Sequence, residues 1–280
     1  MQVVRPLLAD HFSWSFRSID HSNAGPSGPV FLCRVNGEAE RFEGVGVLQL
    51  HQLFPTVVAT TQLSLDPLQQ ASCMQALLEL RGEAEGNPNE GCAWTGDLHG
   101  VWQLHQQQPF QALAQLVVQQ AWSYRDSLGF ERSQVALHLQ RCWPVISDWD
   151  QAVGRHHHPN AHLSAVLYLT GNGSGEEGML RLHASHQPNE LVAGLAVGYG
   201  GPIAEGHPFN QAHWDLAPRP GLLVLFPSSL HHSVLPNDAP DELRCSISFD
   251  FVLTAPMQGG SPEYLAPHPR HWDSLDEPIA

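Results

Sequence analysis

Val135-Ala136-Leu137-His138-Leu139-Gln140 is the stretch at which the apolar period of this chain changes. Val135, Leu137 and Leu139 alternate with Ala136, His138 and Gln140, the period-two pattern of a strand. Upstream the period is helical: from Pro109 to Gly129, Phe110, Leu113, Leu116, Val117 and Ala121 recur at helical spacing, and Gly129 supplies a stop. An earlier helix is predicted to open at Asp66-Pro67, a cap followed by a first-turn proline, and to carry Leu68, Met74, Leu77, Leu78 and Leu80 toward Gly82. Residues 82–100 read as loop. Downstream, Leu163–Thr170, Met179–Ala184, Leu191–Val197, Leu222–Phe226 and Leu243–Leu253 are short apolar runs separated by Gly, Pro, Asn and Asp clusters, each predicting a strand. Helices followed by many short strands predict a mainly β domain with flanking helices (α+β), a jelly roll.

This reading divides the chain into three parts. Residues 1–50 form a turn-rich N-terminal extension, with a hairpin signal at Asn36-Gly37. Residues 51–254 hold the jelly roll and its N-terminal helices, and 255–280 form a Pro-rich, acidic C-terminal tail. Gly198-Tyr199-Gly200-Gly201-Pro202 lacks the strand-to-helix setting of a nucleotide loop. Gly171-Asn172-Gly173-Ser174-Gly175 reads as a hairpin turn.

Composition narrows the partners. Of 280 residues, 42% are hydrophobic and 15% charged, enough apolar material for a sizeable core. The formal net charge of -15 opposes a nucleic-acid or anionic-membrane partner, because such binding needs clustered cations. No lysine occurs, so every fixed positive side chain is an arginine. Cys33, Cys73, Cys92, Cys142 and Cys245 form no C-x-x-C pair, which fits a reduced compartment. With no signal-peptide pattern at the N-terminus and no run long enough to span a membrane, a cytoplasmic location is expected. Asn172-Gly173-Ser174 is then an idle sequon.

The chemistry-bearing residues flank the apolar runs. His156-His157-His158-Pro159-Asn160 precedes one, and Leu230-His231-His232-Ser233 follows another. In an extended segment His156 and His158 point to the same side, so both rings can face one metal ion. A third ligand is needed, and His232 is the candidate, with His231 as its neighbour and competitor; alternation lets only one of the two face the site. His213-Trp214-Asp215 offers a rival H-x-D pair. Asp215 lies 17 residues from His232, too few for the strands that separate two ligand strands of a jelly roll, whereas 74 residues separate His158 from His232. Arg244-Cys245-Ser246 then adds a fixed cation with a hydroxyl two positions on.

In these residues the chain resembles the 2-oxoglutarate- and Fe(II)-dependent oxygenases, within an uncharacterised prolyl-hydroxylase-like group. The resemblance runs in order from Leu53-Phe54-Pro55-Thr56 through Trp143, the His156–Asn160 and Leu163–Leu169 segments and Phe226-Pro227-Ser228-Ser229-Leu230-His231-His232-Ser233 to Arg244–Phe249. It implies a double-stranded β-helix (jelly roll) in which His156, His158 and His232 hold Fe(II). Arg244 would then pair with the distal carboxylate of the co-substrate 2-oxoglutarate, with Tyr168 and Ser246 as further hydroxyl donors. Trp143, Asn160 and His183 are the candidates to line the pocket. The activity implied is that of a dioxygenase that hydroxylates an unidentified small molecule or protein side chain and releases succinate and CO2.

One position departs from the usual pattern: most of the superfamily has Asp or Glu where this chain has His158. Three neutral imidazoles leave a bound divalent ion its full charge, and they also suit zinc. The alternatives are therefore a cupin-like or three-histidine zinc metalloprotein that does not use 2-oxoglutarate, or a non-catalytic jelly-roll binding protein. The second cupin motif is partly matched by Gly221 to His232, with Ser229 in place of its glycine, and the first is not matched.

Overall fold

The computed structural model of the chain describes residues 55–83, 89–185, 211–260 and 262–274. The hairpin expected at Asn36-Gly37, the strand expected at 191–197 and the glycine cluster at 198–202 lie outside the described residues.

Both predicted helices form where capping and periodicity place them. The Gln69 N–H donates to Asp66 Oδ1 at 2.9 Å, and Pro67 begins α1 (Pro67–Glu83), which buries Cys73 and Leu77. Helix α2 (Gln111–Ser127) buries Leu113, Ala114, Val117, Ala121 and Tyr124. The chain leaves it through Gly129, whose φ of 87° only glycine adopts without strain.

Ten strands are seen among the described residues: β1 (Ala59–Gln62), β2 (Trp94–Thr95), β3 (Ala136–Ser147), β4 (Val153–His156), β5 (Leu163–Tyr168), β6 (Leu180–His183), β7 (His213–Leu216), β8 (Leu222–Pro227), β9 (His232–Val234) and β10 (Arg244–Thr254). They pair antiparallel into a six-stranded sheet, β1-β8-β5-β10-β3-β2, and a four-stranded sheet, β4-β9-β6-β7. This is the expected double-stranded β-helix with helices against one face.

Three layers follow from the alternation of β5. Leu163, Ala165 and Leu167 pack with Leu113, Val117 and Leu77 of the helices, while Val166 and Tyr168 pack with Leu180 and Leu182 of the smaller sheet. Every residue of β5 is buried, which is why its sequence is an unbroken apolar run rather than an alternation. Each fully buried leucine here contributes about 1.5–3 kcal/mol. Cys73, Cys142 and Cys245 lie in the core as buried thiols, and burial pushes Cys73 and Cys245 up to about 11.

Two expectations need correction. Residues 82–100 are not all loop: Trp94 and Thr95 form β2 against Ile146 and Val145, and Gly96–His99 is a 3-10 turn. The strand at 135–140 also continues through Pro144 to Ser147. Its long pairing with β10 outweighs the missing N–H, and Gly96 lets the neighbouring chain lie on the proline ring, where a Cβ would fall 2.6 Å from Pro144 Cδ. No helix among the described residues is long and apolar enough to cross a membrane.

Candidate functional site

His156 ends β4, His158 follows two residues on, and His232 opens β9 directly opposite His156 in the ladder. Ring centroids are 5.2 Å apart for His156 and His158, 4.3 Å for His156 and His232, and 5.0 Å for His158 and His232. One ring nitrogen from each lies within 4.8 Å of the others. Backbone pairing positions the set: His158 N–H donates to Ser228 O at 2.9 Å, tying the segment after β4 to the end of β8.

In each ring Nδ1 is committed to an oxygen. His156 Nδ1 meets Gly154 O at 2.8 Å, His232 Nδ1 meets Leu230 O at 2.9 Å, and His158 Nδ1 meets Asp250 Oδ1 at 2.7 Å. Carbonyls and carboxylates accept, so Nδ1–H donates in all three, and the lone pair is left on Nε2. Burial, then the neighbouring His156, pushes His232 down to about 3, and burial also lowers His156. Three neutral imidazoles with free Nε2 lone pairs fit a borderline divalent ion such as Fe(II) or Zn(II).

The neighbouring histidines do not join. His231 is exposed, its ring 4.7 Å from that of His157 on the outside of the sheet. Asp215 of the rival motif sits on β7 and accepts two hydrogen bonds from Arg181, at 2.8 and 2.7 Å, which hold its carboxyl below the usual range.

Strand β10 supplies the polar wall. Its odd residues Cys245, Ile247 and Phe249 enter the helix-side core, so Arg244, Ser246, Ser248 and Asp250 form a row on the other face. Arg244 is 1% exposed. Its Nε–H donates to Gly178 O at 2.9 Å, Nη1 to Ser246 Oγ at 3.2 Å and Nη2 to Tyr168 Oη at 3.2 Å. Among the described residues no carboxylate pairs with it. A cavity of about 60 Å³ has His156, His158 and His232 in its lining together with Arg244, Ser246, Trp143 and Phe226. That is room for several waters at about 10–15 Å³ each.

The sequence-predicted residues therefore separate. His156, His158, His232, Arg244, Ser246 and Trp143 share one cavity, and the Trp143 ring is 5.5 Å from His158. Tyr168 is fully buried behind Arg244 and acts on the guanidinium rather than on the cavity. Two pocket expectations are corrected. Asn160 is exposed in the turn after Pro159, because the chain reverses there before β5. His183 shares the outward face of β6 with Arg181, where it bonds Ser233 Oγ at 3.0 Å, because Leu180 and Leu182 take the inward positions.

Sequence reasoning missed Asp250, Ser164 and Ser228. Ser164 Oγ–H donates to Asp250 Oδ1 at 2.7 Å and lies 2.9 Å from Ser228 Oγ. The signal was present: Arg244, Ser246, Ser248 and Asp250 form a period-two polar row in an otherwise apolar strand.

A family model described as "Putative 2OG-Fe(II) oxygenase" matches residues 141–250. No curated protein matches the sequence. Among solved structures, an oxidoreductase of the 2OG-Fe(II) oxygenase family from Burkholderia pseudomallei is 17% identical over 46% of this chain and 48% of its own, with a TM-score of 0.32. A prolyl-4-hydroxylase from Pseudomonas putida is 19% identical over 70% of this chain and 92% of its own, with a TM-score of 0.44. HygX from Streptomyces hygroscopicus, solved with nickel and 2-oxoglutarate bound, is 16% identical over 80% of this chain and 88% of its own, with a TM-score of 0.47.

Proposed function

We propose that this protein is a 2OG-Fe(II) oxygenase, the family whose model matches residues 141–250: it binds Fe(II) through His156, His158 and His232, holds 2-oxoglutarate through Arg244, and hydroxylates a small molecule or a protein side chain. One observation carries this reading. The cavity that gathers three imidazoles also holds a buried guanidinium with no carboxylate partner among the described residues. An unpaired buried ion costs several kcal/mol, on the order of the penalty known for broken interior ion pairs, so the site is built for an anion. A guanidinium can donate two parallel hydrogen bonds to a carboxylate.

Bound together, iron and 2-oxoglutarate would activate O2 for C–H hydroxylation, one oxygen atom going to the substrate and the other to succinate, with CO2 released. The chain does the rest. Tyr168 and Ser246 hold the Arg244 plane from two sides, and Gly178 O fixes its stem. Phe226, Val166 and Leu180 line the cavity with apolar surface that excludes water, and Trp143 forms the wall beside His158. The buried thiols of Cys73, Cys142 and Cys245 support a cytoplasmic setting, and the net charge of -15 speaks against a nucleic-acid partner.

A zinc or cupin-like reading accounts for the imidazoles but leaves Arg244 without a role, and a non-catalytic anion-binding fold gives Arg244 a role but leaves the three converging imidazoles without one. The test is anaerobic addition of Fe(II) and then 2-oxoglutarate. A visible charge-transfer band that needs both, together with succinate formation on admitting O2, is the expected result. Metal binding with no band and no 2-oxoglutarate affinity would overturn the assignment.

A further inference from the structure

We propose that Asp250 is a positioning residue that supplies the missing negative charge of the metal centre through the His158 imidazole. This rests on the reading of His156, His158 and His232 as metal ligands. Asp250 is 0% exposed. Its Oδ1 accepts from His158 Nδ1 at 2.7 Å and from Ser164 Oγ at 2.7 Å, while Oδ2 is buried with no hydrogen-bond partner.

A buried carboxylate needs a positive charge near it, and no arginine among the described residues bonds Asp250: its cross-strand neighbour Arg141 turns its guanidinium to Asp97. Arg244 stands six residues along the same strand, about 20 Å away at about 3.3 Å per residue. The two opposite charges at the ends of this row therefore cannot neutralise each other, and each requires its own partner. For Arg244 that partner is an anion in the cavity. For Asp250 the way out is His158, whose remaining nitrogen faces His156 and His232.

The electrostatics address the departure noted in the sequence. Three neutral ligands would leave a divalent ion its full charge, whereas a carboxylate one imidazole away lowers the net charge of the centre by one. It also fixes the tautomer that leaves Nε2 free and raises the donor strength of that nitrogen. The surrounding bonds hold this geometry firmly. Ser164 Oγ bridges Asp250 and Ser228 Oγ, and Ser228 O receives the His158 N–H at 2.9 Å, so the same serine pair restrains both the carboxylate and the ligand backbone.

The experiment compares Co(II) affinity, read from visible spectra, in wild type, Asp250→Asn and the double variant Asp250→Asn/His158→Asp. Asn keeps the shape of Asp250 and can still accept from Nδ1–H, but it removes the charge. Asp250→Asn should bind Co(II) about 10–100-fold more weakly, with an unchanged far-UV spectrum and a metal-free melting temperature no lower than wild type, since a buried unneutralised charge is gone. The double variant moves the charge onto the ligand position and should recover most of the loss.

Equal affinity in Asp250→Asn overturns the proposal, and so does a loss that the double variant leaves unrepaired, because that loss would be structural. Failure of wild type to bind Co(II) overturns the underlying metal reading instead. Should Asp250→Asn not fold, proton NMR of the Co(II) wild type decides. The His158 Nδ1–H, shielded by Asp250, should be the slowest to exchange among the shifted imidazole protons, and its absence overturns the proposal.

Discussion

Replacing Arg244 by methionine removes the guanidinium while keeping most of its bulk. Gly178 O, Ser246 Oγ and Tyr168 Oη each accept one of its N–H groups. A guanidinium has five such groups, so one hydrogen on each terminal nitrogen remains for a ligand, a pair able to grip a carboxylate end-on. At about 1.5–3 kcal/mol for each hydrogen bond to a charged group, the pair contributes about 3–6 kcal/mol. At about 1.4 kcal/mol per decade, the expected loss of 2-oxoglutarate affinity is at least ~100-fold. Calorimetry on Co(II)-loaded protein, titrated with 2-oxoglutarate under nitrogen, reads this directly, and a separate titration reads Co(II) affinity. Arg244→Met should keep metal affinity and lose co-substrate affinity. Arg244→Lys, which keeps the charge but not the planar fork, should fall between. Unchanged 2-oxoglutarate affinity in Arg244→Met, or parallel loss of metal and co-substrate, would refute the assignment of Arg244 as the anion anchor.

The metal-free protein should lose stability in acid. His232 sits near 3 in the fold against an ordinary value of 6.5, so between those pH values the unfolded chain binds more protons, and stability falls as pH drops through 6.5 toward 3. At about 1.4 kcal/mol per pH unit the full effect is at most about 5 kcal/mol. Chemical denaturation of chelator-treated protein from pH 7 to 4 measures it, and a flat profile contradicts the assigned burial. Gly221→Ala should destabilise the six-stranded sheet by about 2 kcal/mol or more. Gly221 has φ 83°, its N–H bonds Tyr168 O at 2.9 Å, and a Cβ there would collide with Leu63 O. A melting temperature equal to wild type would contradict this.

The elements that could be read from the sequence are those whose local chemistry agrees with their tertiary role. Asp66-Pro67 caps a helix by local bonding alone, and the stripe of Leu113, Val117 and Ala121 faces the sheet that any amphipathic helix would seek. β5 and β8 are sandwiched between layers, so they announce themselves as apolar runs. β2, β4, β7 and β9 do not, because they are two to four residues long and owe their form to pairing partners distant in sequence. His213-Trp214-Asp215-Leu216 looked like a metal motif for that reason; β7 exists because it pairs with β6, and Asp215 is claimed by Arg181 across the ladder.

The site divides in the same way. The convergence of His156 and His158 follows from strand alternation, and spacing weighed against Asp215. The choice of His232 over His231 came from the resemblance, and the structure places only His232 in the cluster. Asp250 escaped notice because the polar row on β10 marks its face of the strand but not its contact with a histidine 92 residues away. Asn160 and His183 were misplaced because proximity to a ligand in sequence, or a position on a neighbouring strand, does not say which way a side chain turns.

The seam between β4 and β9 has a kinetic consequence. β4 is an edge strand of four residues, joined to β9 through the pairs Val153 with Val234 and His156 with His232, with an irregularity between them. One prospective ligand ends this strand and another lies just beyond it, while the third sits on β9, the named strand it pairs with among the described residues. Few ladder bonds hold such an edge, so it belongs to the parts of a fold that open first. An ion seated there would stitch the hem closed, and its residence time is expected to follow how often β4 peels from β9. Protection of residues 153–158 against amide exchange thus becomes a clock for metal release.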